Sequence, residues 1–208
     1  MKSKPTTRLY LLRHGEVDTR YHRVFGGRID MDLSPNGQEQ AQLLAKYLQP
    51  VKFDAVYVSP MKRAQQTLAP LAKHFPGTPV TMPDLREVDF GDWTGLTWEQ
   101  VQAKFGVSAF DWLDRMDKAA IPGAETASHF RARVEPCLRQ IVQDHTGKTV
   151  AIVCHGGVVR VILSILLNIP LPVTAHMHIE YASLTIVDVA PHRNEIQLLN
   201  LTPWEHLP

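Results

Sequence analysis

Cysteine is nearly missing: Cys137 and Cys154 are the only two in 208 residues. That is too few for a disulfide framework, so both read as reduced thiols and the chain as cytoplasmic. Net charge is nearly missing as well. Lys and Arg number 22 against 21 Asp and Glu, a formal +1, which argues against nucleic-acid or membrane partners, since either needs a clustered basic excess. The longest apolar run, Val158 to Leu167, is about half a membrane span and reads as a buried helix. Met1-Lys2-Ser3-Lys4-Pro5 leads into only four apolar residues, shorter than the core of a secretory leader. Repeats and low-complexity tracts are absent. The ten histidines hold no compact ligand set beyond His176-Met177-His178, which reads as a loop or edge strand, so neither metal nor cofactor is expected.

What is present fits one domain spanning 1–208, with 44% hydrophobic residues and room for its own core. Strand candidates are Leu9-Leu12, Ala55-Val58, Val80-Met82, Val150-Val153, Leu184-Val189 and Ile196-Leu199. Helical patterns lie between most of them, which implies βαβ units. Ser34-Pro35 and Ser59-Pro60 each set a capping hydroxyl before proline, predicting helices from about 35 and 60. Thr97-Trp98-Glu99-Gln100 reads as a capping box, and Ser108-Ala109-Phe110-Asp111 resembles another. The stretch from about 96 to 122 is therefore a helical insertion. Phe130, Val134, Leu138, Ile141 and Val142 mark a longer helix, in which Pro136 predicts a kink or a later start. A hairpin-length loop at Ala190-Asn194 makes the sheet mixed.

Two of the strand candidates end in His-Gly, at Arg13-His14-Gly15 and Cys154-His155-Gly156-Gly157. Ligands of open α/β sheets sit beyond the carboxyl ends of strands, so both imidazoles are expected over one crevice, with each glycine allowing close approach to a bound group. Arginine beside the first histidine makes phosphate the natural guest, because phosphoryl transfer needs a nucleophile surrounded by cations and N–H donors. His155-Gly156-Gly157 opens a helix, whose N-terminus attracts anions. Taken singly, each histidine is as well explained by structural hydrogen bonding, and Arg63 by a solvated surface charge.

Read together, Leu11-Leu12-Arg13-His14-Gly15-Glu16, Leu33-Ser34-Pro35-Asn36-Gly37, Ser59-Pro60-Met61-Lys62-Arg63-Ala64, Leu85 to Gly95 and Cys154-His155-Gly156-Gly157 resemble the histidine phosphatase superfamily, the phosphoglycerate mutase-like proteins. The order is the family's across nearly the whole chain. The Phe90-Gly91-Asp92-Trp93-Thr94-Gly95 loop, the short length and the ending most resemble its α-ribazole phosphatase-like and broad-specificity branch. The resemblance implies a three-layer α/β/α sandwich on a mostly parallel sheet with one antiparallel strand, the helical insertion lying over the active site. It further implies a phosphohistidine at His14, a phosphate clamp of Arg13 and Arg63 with the Gly156 N–H, His155 bonding the phosphoryl group, and Glu87 as proton donor. Ester cleavage needs a proton on the departing alkoxide, and a phosphate nearby raises a carboxyl's proton affinity; Asp89 is the reserve acid.

Two positions depart from the family pattern. Val17 and Arg20 stand where many members carry Ser or Thr and then Asn. Arg20, with the Gly26-Gly27 turn, is thus a candidate for reading a second anionic group on the substrate, the alternative being a mobile basic loop. The expected activity is hydrolysis of a small phosphorylated metabolite. Alternatives are phosphoglycerate mutase activity by the same chemistry, a non-catalytic phosphate-binding module, and a cysteine phosphatase, since Cys154 to Arg160 fits Cys-x5-Arg. The mutase reading is weakened by the few cations between Gly95 and Pro122, namely Lys104, Arg115 and Lys118. Trp93, Trp98, Phe110 and Trp112 are expected to fill core.

Overall fold

The computed structural model describes residues 5–206; the leader reading at Met1 to Lys4 lies outside them. Six strands form one sheet in the order β3-β2-β4-β1-β5-β6. They are β1 (Thr7–Arg13), β2 (Ala55–Val58), β3 (Val80–Thr81), β4 (Thr149–Cys154), β5 (Leu184–Val189) and β6 (Asn194–Leu201), all six at the places the sequence predicts. β4 pairs in parallel with both β1 and β2. β5 runs antiparallel to β1 and to β6, so a single reversed strand makes the sheet mixed.

Alternation along the strands sets up three layers, because successive side chains leave opposite faces of a sheet. Leu9 and Leu11 of β1, with Val150, Ile152 and Cys154 of β4, belong to a core shared with α5 (Ala127–Asp144) and α6 (Gly156–Leu167). Tyr10, Leu12, Ala151 and Val153 face a second core, shared with α1 (Pro35–Leu48) and α2 (Lys62–Ala72). In chain order between β3 and α5 come α3 (Trp98–Phe105), a single turn at Ala109–Asp111 and α4 (Trp112–Asp117), the helical insertion expected there. A short α7 (Pro203–His206) follows β6. No helix among the described residues is long and apolar enough to cross a membrane.

Local signals behave unevenly. Ser34 caps α1, accepting the Gly37 N–H at 2.9 Å, and Thr97 with Gln100 completes the capping box of α3. Ser59 does not cap a helix at 60. α2 starts two residues later behind Met61, where the Asp30 carboxylate accepts the Lys62 N–H at 2.8 Å. Ser108 accepts only the Phe110 N–H, at 3.2 Å, ahead of a single turn instead of a capping box. Pro136 neither delays nor ends α5: it lies on the exposed side of an 18-residue helix that begins at Ala127.

Candidate active site

β1 and β4 are adjacent and in register, Arg13 opposite Cys154, so their carboxyl ends deliver His14 and His155 side by side. The two rings lie 5.2 Å apart, centroid to centroid, and both are buried. His14 Nδ1–H donates to the Gly15 carbonyl at 2.8 Å; a carbonyl only accepts, which leaves Nε2 as the lone-pair nitrogen. Arg63 Nε–H points between the rings, donating to His14 Nε2 at 3.1 Å and to His155 Nδ1 at 3.2 Å. With Nδ1 accepting, a neutral His155 carries its proton on Nε2 and gives it to Ser59 Oγ at 2.7 Å. This bond occupies the hydroxyl that sequence reads as a cap. Ser59 is thus a positioning residue that orients His155.

Burial holds the pKa of both histidines well below 6.5, reinforced by Arg63 and Arg13 and, at His155, by His14. Both rings are neutral near pH 7. Burial also lowers Arg63 to about 10, still cationic at neutral pH. Its outer nitrogens are fixed by the Ile29 and Gly27 carbonyls at 2.7 and 2.8 Å. Gly27 therefore serves through its carbonyl: it sits at φ +45°, where a Cβ would meet Val88 O at 3.0 Å. Gly26 lines the same cavity, packed against Met31.

Arg13 donates to the Ile179 carbonyl at 2.6 Å and stacks on the Tyr181 ring at 3.9 Å. Its Nε–H is buried without a partner among the described residues. Gly156, first residue of α6, lies against that same nitrogen. An orphaned guanidinium N–H thus stands beside a helix N-terminus, the kind of end that attracts anions, and Arg13 and Gly156 line one cavity. Gly15 does not provide close approach to a guest; it abuts the α1 backbone, where a Cβ would come within 2.6 Å of Gly37 O.

Glu87 enters from the loop after β3. Its Oε2 accepts the Gly157 N–H and its Oε1 the Val88 N–H, each at 3.0 Å. A Cβ at residue 157 would lie 2.4 Å from Oε1, so glycine there is what admits the carboxylate. Arg133 of α5 secures this loop from behind, donating to the Asp84, Arg86 and Glu87 carbonyls and forming an ion pair with Glu125 at 2.7 Å. Sequence reading missed Arg133, Ser59 and Tyr181. Nothing in spacing marks them, since their partners lie far along the chain.

Three sequence candidates stand apart. Arg20 does not line the cavity: its guanidinium, mostly exposed, lies 3.6 Å from Asp18 and over the Tyr21 ring. Asp89 spends one oxygen on the Gly91 N–H at 3.0 Å and the other near Arg28. Cys154 ends β4 wholly buried, its thiol pushed far up by burial, while Arg160 donates to the Thr174 and Met177 carbonyls. The Cys-x5-Arg spacing builds no thiolate site. Among the described residues, no group of three or more His, Cys, Asp or Glu is placed to hold a metal.

Comparison with known proteins shows the family. The model of the histidine phosphatase superfamily, branch 1, matches residues 9–202. A putative phosphoserine phosphatase 2 of Hydrogenobacter thermophilus is 32% identical over 93% of this chain and 95% of its own. The adenosylcobalamin/α-ribazole phosphatase of Escherichia coli is 27% identical over 93% and 95%. Among solved structures, a mycobacterial glucosyl-3-phosphoglycerate phosphatase superposes with a TM-score of 0.85 at 25% identity, covering 94% of this chain and 99% of that one. The chain belongs to the histidine phosphatase superfamily, branch 1, and is a phosphoric monoester hydrolase.

Proposed function

We propose that His14 is the nucleophile of this phosphatase and Glu87 its general acid and base, within a single domain over 1–208. The observation that carries the reading is the fixed His14 tautomer: Nδ1–H is held by the Gly15 carbonyl and the Nε2 lone pair faces Arg63. An incoming phosphate monoester takes the position beside Nε2, with its oxygens on Arg63, Arg13 Nε–H and the Gly156 N–H. Nε2 attacks phosphorus, forming the N–P bond as the ester P–O bond breaks. Glu87, protonated beside the dianion, gives its proton to the departing alkoxide. The alcohol leaves, and the ionised carboxylate takes a proton from water as that water attacks phosphorus. The N–P bond breaks, and neutral His14 and protonated Glu87 return. His155, its ring held by Ser59, accepts from Arg63 at Nδ1 and so keeps that guanidinium beside the phosphoryl group.

The relatives' names support small phosphorylated metabolites as substrates, and the absence of lysine or arginine from the insertion's side of the cavity gives the mutase reading no support. Hydrolysis of p-nitrophenyl phosphate tests the assignment. His14→Ala is expected to abolish it, while Cys154→Ser retains it and EDTA leaves it unchanged. Loss in Cys154→Ser with retention in His14→Ala contradicts the mechanism.

A further inference from the structure

Arg63 is held at its tip and at its root by one short stretch of chain. The Gly27 and Ile29 carbonyls accept from its outer nitrogens at 2.8 and 2.7 Å. One residue further on, Asp30 Oδ1 accepts the Lys62 N–H at 2.8 Å. Lys62 is the first residue of α2 and Arg63 the second. The guanidinium and the backbone that carries it are therefore fastened to the same segment, 27–30. Just beyond it, Asp32 accepts from Lys62 Nζ at 2.8 Å and from Gln66 Nε2 at 2.7 Å, while Gln66 Oε1 accepts the Leu33 N–H at 2.8 Å. These bonds dock the side of α2, but none of them takes a backbone N–H of its first turn.

That task falls to Asp30 because the nearer candidates do not perform it. Met61, at the N-cap position, makes no side-chain cap. Ser59 Oγ accepts from His155 Nε2 at 2.7 Å and reaches only the Met61 N–H, at 3.3 Å. The hydroxyl that would open α2 serves the second histidine, and a carboxylate from another loop stands in for it. Precision matters here. The Arg63 Nε–H is shared between His14 Nε2 at 3.1 Å and His155 Nδ1 at 3.2 Å, both at the long end of the hydrogen-bond range, so a shift of about half an ångström loses one or both. Asp30 itself is exposed and does not line the cavity. Whatever it does for the site, it does through α2.

We propose that Asp30 is a positioning residue of the phosphatase: by capping α2 from a separate loop, it fixes the aim of Arg63 at the two histidines. The proposal rests on the phosphatase reading above and is tested by kcat/KM for p-nitrophenyl phosphate. Asp30→Ala is expected to lower it at least about tenfold, since misplacing a group of the site by about 1 Å can cost about a hundredfold. Asparagine caps a helix as well as aspartate, so Asp30→Asn should stay within about threefold of the parent. Lys62→Ala should stay within about twofold, because Asp30 accepts from the backbone N–H and the ammonium is engaged with Asp32 in an exposed pair. Added to Arg63→Ala, Asp30→Ala should cost less than about twofold more, the mark of two residues acting through one contact. Truncating an exposed side chain opens no cavity, so loss of folding is no explanation for lost activity. A merely structural cap would lower Tm in Asp30→Ala and leave kcat/KM of the folded protein unchanged, which overturns the proposal. Equal losses in Asp30→Ala and Asp30→Asn overturn it too, as does full additivity with Arg63→Ala. If the parent in that event hydrolyses the ester in a His14-dependent way, only the role of Asp30 is lost. If it does not, both readings fall.

Discussion

A buried neutral imidazole is both the chemical asset and the liability of this site. His14 and His155 are held well below 6.5 chiefly by burial and then by Arg63. In the unfolded chain they titrate near 6.5. Below that pH the unfolded state binds protons that the folded state refuses, so stability falls as the pH drops through 6.5 toward the folded-state values. Carboxylates contribute their own acid dependence. The difference between proteins isolates the histidines: a His14→Asn, His155→Asn double variant should lose less Tm than the parent on acidification from pH 7 to about pH 5. Parallel slopes would show that the rings are charged in the folded protein. The same neutrality keeps Nε2 available to phosphorus throughout the neutral range. Arg63, placed between the rings by the Gly27 and Ile29 carbonyls, adds to that neutrality, while burial lowers its own pKa to about 10.

At the scale of elements, the start of α6 matters most. Three successive residues have three tasks: His155 presents its ring, Gly156 lies against Arg13 and Gly157 donates its N–H to Glu87. Gly157→Ala puts a methyl where Glu87 Oε1 stands, 2.4 Å from it. The obstructed group is the end of a flexible side chain, so the carboxylate moves aside and folding stability changes by less than about 1 kcal/mol. Chemistry should suffer selectively. Turnover of alkyl phosphates, which need a proton on the leaving group, is expected to fall at least about tenfold more than that of p-nitrophenyl phosphate, whose leaving group needs none. Equal losses would mean that Glu87 is not the acid. The loop behind it depends on Arg133, whose guanidinium ties three carbonyls of residues 84–87 to Glu125.

For the molecule as a whole, sequence revealed what is local or periodic. Strand positions followed from short apolar runs, the mixed sheet from a hairpin-length loop, and the meeting of His14 and His155 from two strands ending alike. It revealed less where a side chain serves a distant partner. Ser59 reads as a cap because Pro60 follows it, but in the fold its hydroxyl meets His155, 96 positions away, and Asp30 supplies the cap instead. Arg20 stands in a loop that motif order brings near the site, yet Asp18 and Tyr21 hold it outside. The aromatic residues divide: Trp93 is core as expected, Trp98 and Trp112 pack against the core while also lining the cavity, and only Phe110 stands exposed at its edge. The central claim, that phosphorus passes through His14, is most directly tested by rapid acid and alkaline quench with 32P-labelled substrate followed by peptide mapping. The account predicts a label that is stable to base, labile to acid, located on His14 and absent from His14→Ala. A label on Cys154, or full turnover by His14→Ala, would contradict it.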